Sequence, residues 1–285
     1  MCRLFGLTAS PRRVKASFWL LEAADSLPHQ SFRSPDGTGL GYFAPFVGPV
    51  VDKEPLRASR DPAFTREAKH VSSTTFVSHI RYATTGARTT ENTHPFAMDG
   101  MLFAHNGMLE GLDALETKLG NDLRFVGGDT DSERFFALLA KEIHAHRNIG
   151  LGISSAVGWI ADNLPVSSLN FVLATPDELW AFRYPETHRL FVLERVGGDD
   201  RRQLHHVSGT MRVLVPELDR HSAVMVASEP LDDTLGWRAL ESGELVRVGP
   251  DLSVRSSIIV GRRPAQLIGV GHSTGGRAPV RRALG

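Results

Sequence analysis

One cysteine in 285 residues leaves no partner for an internal disulfide, and a single thiol cannot supply the ligand set of a Cys-based zinc site. Charge of either sign is also missing in excess: Lys plus Arg total 32, and so do Asp plus Glu. That balance offers no overall electrostatic pull toward nucleic acid or an anionic membrane surface. No apolar run approaches the ~20 residues needed to span a bilayer. No basic region followed by an apolar run of roughly 7–15 residues opens the chain, so a signal peptide is not expected. Internal repeats are absent too. The expectation is a cytoplasmic protein with no disulfide, long enough to bury a substantial core in one large domain or two modest ones.

The cysteine that is present stands at position 2. On removal of Met1, its thiol would share a residue with a free α-amino group. Such an amine titrates near ~7.7–8.0 and a free thiol near ~8.5, so the two are matched for proton transfer near neutral pH. An N-terminal nucleophile activated by its own amine is an established catalytic device. The alternative is a small buried hydrophobe, the usual fate of a free cysteine.

Along the chain, residues 3–8 read as a strand closed by the turn Thr8-Ala9-Ser10-Pro11, and apolar spacing predicts a helix over about 14–24. The run Asp36-Gly37-Thr38-Gly39-Leu40-Gly41-Tyr42 is a Gly-rich turn feeding a strand; it lacks the Lys-Ser/Thr ending of a phosphate loop. Three prolines between 47 and 69 predict mostly loop with at most a short helix. Residues 74–80 are β-branched and apolar, a strand that runs into Arg81-Tyr82-Ala83-Thr84. A second buried strand, Met101 to His105, is expected to halt at Asn106-Gly107, a turn dipeptide, before a helix over about 109–119. Thr130 and Glu133 form a capping-box pattern for the next helix, which places Asp131 in its first turn. A third helix is expected over about 150–163. Strands follow: a hairpin over 169–184, then 189–196, 203–207, 223–227, 245–248 and 253–260. The domain is expected to cover 2–260, with 261–285 a basic Gly/Pro/Arg-rich tail.

Four motifs then stand at strand or helix ends: Met1-Cys2, His79-Ile80-Arg81-Tyr82-Ala83-Thr84, His105-Asn106-Gly107 and Asp131-Ser132-Glu133. In this order they resemble the class II glutamine amidotransferases of the N-terminal nucleophile hydrolase superfamily. The later Ser228-Glu229-Pro230-Leu231 segment and the Asp36–Tyr42 run are similar to the stand-alone members, among them the γ-glutamyl hydrolase of the ergothioneine pathway. Two positions depart from the family pattern: Tyr82 stands where tryptophan is usual, and Ser132 where threonine is usual.

The resemblance implies an α+β fold, a four-layer αββα sandwich with two antiparallel sheets. It implies hydrolysis of the γ-glutamyl amide of L-glutamine, or of a larger γ-glutamyl amide, by Cys2 through a glutamyl thioester. Asn106 and the Gly107 N–H would hold the oxyanion, Arg81 the α-carboxylate with Thr84 assisting, and Asp131 the α-ammonium; Tyr82 would form part of the wall. No cofactor is expected, and a synthase partner or other ammonia acceptor would lie outside this chain. The rival expectation is a glutamine-binding or ammonia-donating subunit that does not turn over alone. His79, His94 and His105 raise the possibility of a metal, but their spacing is long and lacks any His-x-x-x-His pair, so none is expected.

Overall fold

The computed structural model describes residues 2–23, 26–32, 34–83, 86–197, 206–208, 211–213, 221–231 and 236–269. Its strands are β1 (Arg3–Thr8), β2 (Gly37–Ala44), β3 (Gly48–Glu54), β4 (Thr75–Arg81), β5 (Phe96–Met98), β6 (Met101–Leu109), β7 (Pro165–Ala174) and β8 (Leu179–Arg183). Then come β9 (Phe191–Arg195), β10 (His206–Ser208), β11 (Met211–Val213), β12 (Ala223–Ala227), β13 (Arg238–Ala239), β14 (Glu244–Val248), β15 (Val254–Ile258) and β16 (Gln266–Leu267). The α-helices are α1 (Leu27–Gln30), α2 (Pro62–His70), α3 (Leu112–Leu119), α4 (Asp131–His146) and α5 (Ile149–Asn163).

Strand alternation decides which side chains go where. On β1, Leu4 faces a core shared with Val77 of β4 and Val172 of β7, while Phe5 and Leu7 turn outward to Trp19, Leu20 and Phe64. On β6, Leu102 and Ala104 join the shared core, and Phe103 turns outward to stack on Phe136 of α4, ring centroids 4.9 Å apart. The first sheet has the order β13-β9-β12-β1-β4-β2-β3, with all its pairs antiparallel. The second runs β15-β14-β8-β7-β6-β5, antiparallel apart from the short parallel pairing of β16 with β7. Apolar faces of both sheets meet in the middle and α-helices cover both outer faces, so the chain is an α+β, αββα sandwich.

Local chemistry fixes the helix starts. The Thr130 hydroxyl accepts from the Glu133 N–H at 3.2 Å, as the capping pattern requires. The Glu133 carboxylate reaches further back than a capping box would, to the N–H groups of Gly127 (3.1 Å) and Gly128 (2.7 Å). Asp61 caps α2 through Ala63 and Phe64, and Asn148 caps α5 through Leu151.

Several expectations need correction. The helix expected over 14–24 is a π-helical stretch at Phe18–Glu22, with Val14 instead bridging to Ser73. The segment expected to be mostly loop holds β3 and α2; β3 is a half-buried edge strand, so its side chains carry no clean alternation. Asn106-Gly107 is no turn: β6 continues to Leu109, and the helix begins only at Leu112. Residues 203–205 of the 203–207 strand lie outside the described residues, and 206–207 fall in β10. Also outside the described residues are 270–285 of the expected tail, whereas Arg262 pairs with Asp162 and β16 lies beside β7.

The glycines of β2 are there because the sheets approach closely. A Cβ on Gly39 would stand 2.2 Å from the His94 carbonyl oxygen. Gly39→Ala should therefore lower stability by about 1–3 kcal/mol, the usual cost of overpacking, with urea unfolding as the measure. An unchanged midpoint would show that the sheets can part there at no cost.

His79 and His94 are buried between the sheets with ring centroids 4.2 Å apart. Burial above all, then neighbouring positive charge, pushes His79 down to about 3 and His94 well below its ordinary value. As pH falls through the ordinary histidine range, the unfolded chain takes up protons that these rings refuse. Stability present above about pH 6.5 should therefore drain away between that value and about pH 3. Urea midpoints at pH 7.5, 6.5, 5.5 and 4.5 should fall in that order, and a flat series would contradict neutral burial.

Candidate functional site

Cys2 sits immediately before β1, and the β1–β4 ladder decides what it meets. Arg3 pairs with Ile80, so the next step along the two strands sets Cys2 beside Arg81 and Tyr82. The Tyr82 N–H donates to Cys2 Sγ at 3.2 Å, and Sγ lies 3.4 Å from the Tyr82 carbonyl oxygen. Burial pushes the thiol up from its ordinary value; the Tyr82 N–H, the amino-terminal charge and Arg81 pull it back, and Asp131 opposes them. The balance is a thiol that holds its proton near neutral pH, so nucleophilic attack requires a base.

Arg81 ends β4 and is 3 % exposed. Its guanidinium donates to the carbonyls of Ala87 (2.9 Å) and Gly86 (3.3 Å), which bends the following loop back over the strand. Asp36 holds the same loop from the other side. Its carboxylate accepts from the Ala83 N–H at 2.9 Å and pairs with Arg88 at 2.8 Å. Asn92 then joins this loop to the approach to α4, donating to Ala87 O at 3.1 Å and accepting from the Asp129 N–H at 2.8 Å.

Asp131 is the first residue of α4, where the helix dipole favours a carboxylate. It is 2 % exposed, and its Oδ2 accepts from the Leu109 N–H at 2.8 Å, tying α4 to the end of β6. Asn106 is buried on β6, on the same face as Leu102 and Ala104, so it belongs to the space between the sheets. Gly107 lies against β7 so closely that a Cβ would stand 1.8 Å from the Ser168 carbonyl oxygen; no other residue fits. His105, on the opposite face, is held by Ser132 at 2.9 Å and the Ser168 carbonyl at 3.1 Å. Among the described residues no three His, Cys, Asp or Glu side chains are grouped to hold a metal ion.

Cys2, Arg81, Asn106, Gly107 and Asp131 thus gather at one end of the sandwich, from the residue before β1, the end of β4, the last part of β6 and the start of α4. Tyr82 contributes backbone to the thiol, and the residue is 39 % exposed. Thr84 lies outside the described residues. Beside Asn106 opens a cavity of about 380 Å³ that is also bounded by Arg3, His188, Arg189 and Glu229.

Sequence reasoning passed over three residues that organise this end. In sequence Asp36 belongs to the Gly-rich run that carries part of the family resemblance, with no role of its own, and Asn92 to a polar loop. Asn170 was hidden inside an apolar strand, yet its side chain holds the β8–β9 connection through the carbonyls of His188 and Arg189 and the Tyr184 N–H. A buried amide among Leu169, Phe171 and Val172 is the signal that could have exposed it, because such a group needs partners.

Comparison with known proteins follows the same line. Residues 1–258 match the family described as class-II glutamine amidotransferases. The chain is 26% identical over 301 residues to a probable glutamine amidotransferase of Saccharomyces cerevisiae, DUG3, covering 87% of this chain and 82% of that protein. In fold it is similar to the glutamine phosphoribosylpyrophosphate amidotransferase of B. subtilis (TM-score 0.63, 19% identity), covering 92% of this chain and 50% of that one. It is likewise similar to a predicted glutamine amidotransferase of Pseudomonas aeruginosa (TM-score 0.54, 21% identity), covering 89% of this chain and 99% of that one. No helix among the described residues is long and apolar enough to cross a membrane. With an αββα sandwich and a family match over residues 1–258, the chain belongs to the class II glutamine amidotransferases, a family of enzymes acting on the glutamine amide.

Proposed function

We propose that this chain hydrolyses the γ-glutamyl amide bond of L-glutamine, or of a γ-glutamyl amide, with Cys2 as nucleophile. The observation that supports it most is the pairing of the Cys2 thiol with the Tyr82 backbone, at the sheet end that also holds Arg81. Because the thiol keeps its proton near neutral pH, the mechanism needs a base, and the α-amine freed by removal of Met1 supplies one on the same residue. The thiolate attacks the amide carbon. The carbonyl oxygen gains negative charge that the Asn106 side-chain amide and the Gly107 N–H stabilise. Collapse of the tetrahedral species breaks the C–N bond as the amine returns its proton to the leaving nitrogen. Water then adds to the thioester carbon, the C–S bond breaks, and glutamate leaves.

Arg81 suits the α-carboxylate because its planar fork presents parallel donors, and Asp131 suits the α-ammonium as a buried carboxylate. Thr84 is assigned beside the carboxylate on the same reading, and the backbone of Tyr82 positions the thiol. Asp36 and Asn92 act as positioning residues, since they fix the loop that Arg81 grips.

Intact mass before and after treatment with an electrophilic glutamine analogue tests the nucleophile. Loss of Met1 and a single adduct, absent in Cys2→Ala, are expected. Retained Met1 with no adduct would instead favour a glutamine-binding or ammonia-donating subunit that acts only with a synthase partner. Steady-state kinetics separate the other roles: Asn106→Ala should lower kcat by about 10²–10³, the usual cost of one oxyanion donor. Arg81→Lys, which keeps the charge and loses the fork, should act mainly by raising KM. Small and equal effects from both would count against these assignments.

A further inference from the structure

A sheet edge presents a row of unpaired N–H and carbonyl groups, and folded proteins blunt such edges with brevity, proline, charge or a cover. Among the described residues the two large sheets end in four edge strands, and three of them are blunted. β13 has two residues and β5 three, with the Lys53 ammonium 4.7 Å over the Phe96 ring of β5. β3 carries Pro49 and ends in Asp52, Lys53 and Glu54. The fourth edge is β15, with β14 on one side and no described strand on the other. Its five residues, Val254 to Ile258, include no proline and one charged side chain, Arg255. Residues 255–258 are exposed, Ile258 at 49 %. A cavity of about 440 Å³, bounded by Leu151, Trp180, Arg247 and Arg255 among others, separates the start of α5 from the strand.

The β14–β15 ladder fixes which groups face out. The Gly249 N–H donates to Ser253 O and the Ile259 N–H to Gly243 O, both at 2.9 Å. In an antiparallel pair, hydrogen-bonded and non-bonded positions alternate. Residues 253, 255, 257 and 259 therefore turn their main-chain groups to β14, and Val254, Ser256 and Ile258 turn theirs outward. Those three suit a second copy of the same strand, run antiparallel about a two-fold axis at Ser256. Ser256 then faces its own counterpart, and Val254 and Ile258 each face the other, so every outward group finds a partner. Charge selects that register. Within the chain Arg255 already stands opposite Arg247, whose charge Glu178 offsets. With the axis at Ser256, Arg255 meets the uncharged Ser257 of the second copy. With the axis one residue earlier it would meet its own counterpart, a like-charge pair that costs stability. One residue later, the bonded stretch would run past Ile258, where the strand ends.

We propose that β15 is the interface of a symmetric homodimer, in which two copies of this chain join their second sheets edge to edge through Val254, Ser256 and Ile258. β14, β8 and β7 stand between β15 and β6, which puts the interface four strand spacings, about 19 Å, from the strand that carries Asn106. The interface is thus separate from the candidate site, and it stands or falls independently of the hydrolase reading.

Sedimentation equilibrium of the full chain, over a micromolar-to-millimolar concentration series, tests it. The weight-average mass should rise reversibly from the 31.2 kDa of one chain toward twice that value. Ser256→Pro is the diagnostic variant. The N–H it removes takes no part in the β14 ladder, so the fold should survive, with a melting temperature within a few degrees of wild type at concentrations where both are monomeric. Both main-chain bonds across the axis vanish, and the dimer dissociation constant should rise at least about tenfold. Should that variant fail to fold, Ser256→Lys judges instead, since it sets two like charges opposite each other across the axis; a similar loss supports the interface. Ser257→Glu should tighten the dimer about threefold or more, because each new carboxylate meets Arg255 of the other copy. An unchanged constant in Ser257→Glu overturns the register. A chain that stays monomeric throughout, as an edge kept for a foreign strand would, overturns the proposal. So does a dimer that folded Ser256→Pro, or Ser256→Lys, leaves intact.

Discussion

The antiparallel pairing of β1 with β4 is the constraint on which the candidate site depends. It sets Arg3 opposite Ile80 through Thr8 opposite Thr75, and carries that register one step past the strand to Cys2. A slip of one residue would turn every β1 side chain to the opposite face. Leu4 would leave the core between the sheets, and the thiol would lose the Tyr82 N–H. The burial of Leu4 on one face and of Phe5 and Leu7 on the other pins the register that sets the Cys2 thiol beside Tyr82.

Around that pairing, buried polar side chains turn loops into fixed walls. The Arg81 and Asp36 contacts hold Ala83, Gly86 and Ala87, Asn92 couples Ala87 to the approach to α4, and Asn170 fixes the β8–β9 connection. Each is a group whose burial would be costly without partners, and each finds them in backbone N–H or carbonyl groups. The result is a site whose two flanks are fixed by separate networks. One rests on β4 and α4, the other on β7 and β12.

Gly107 illustrates how the same residue type serves different ends. In sequence, Asn-Gly is a turn dipeptide; in the sheet, the glycine is required because β6 and β7 leave no room for a Cβ. The neighbouring Asn106 is thereby held inside a strand, a more rigid platform than a turn would give. Close approach of main chains, not local conformational freedom, explains this glycine and equally Gly39.

By itself the sequence determined the family and much of the strand-and-helix alternation, and it singled out Cys2, Arg81, Asn106, Gly107 and Asp131 as site candidates. Those features are local or patterned: the period of apolar residues, the Thr130 cap, and the four short motifs in order. Tertiary structure alone decided the rest. That Asn106-Gly107 continues a strand depends on β7 lying beside it. The edge strand β3 exists only because β2 offers it a partner, for its own side chains stay half-exposed. The roles of Asp36, Asn92 and Asn170 are contacts between residues far apart in the chain, and no local pattern encodes them. Nor does any motif show the cavity, because strand order in the folded sheets sets its walls, Arg3, Asn106 and Ser228 among them, together.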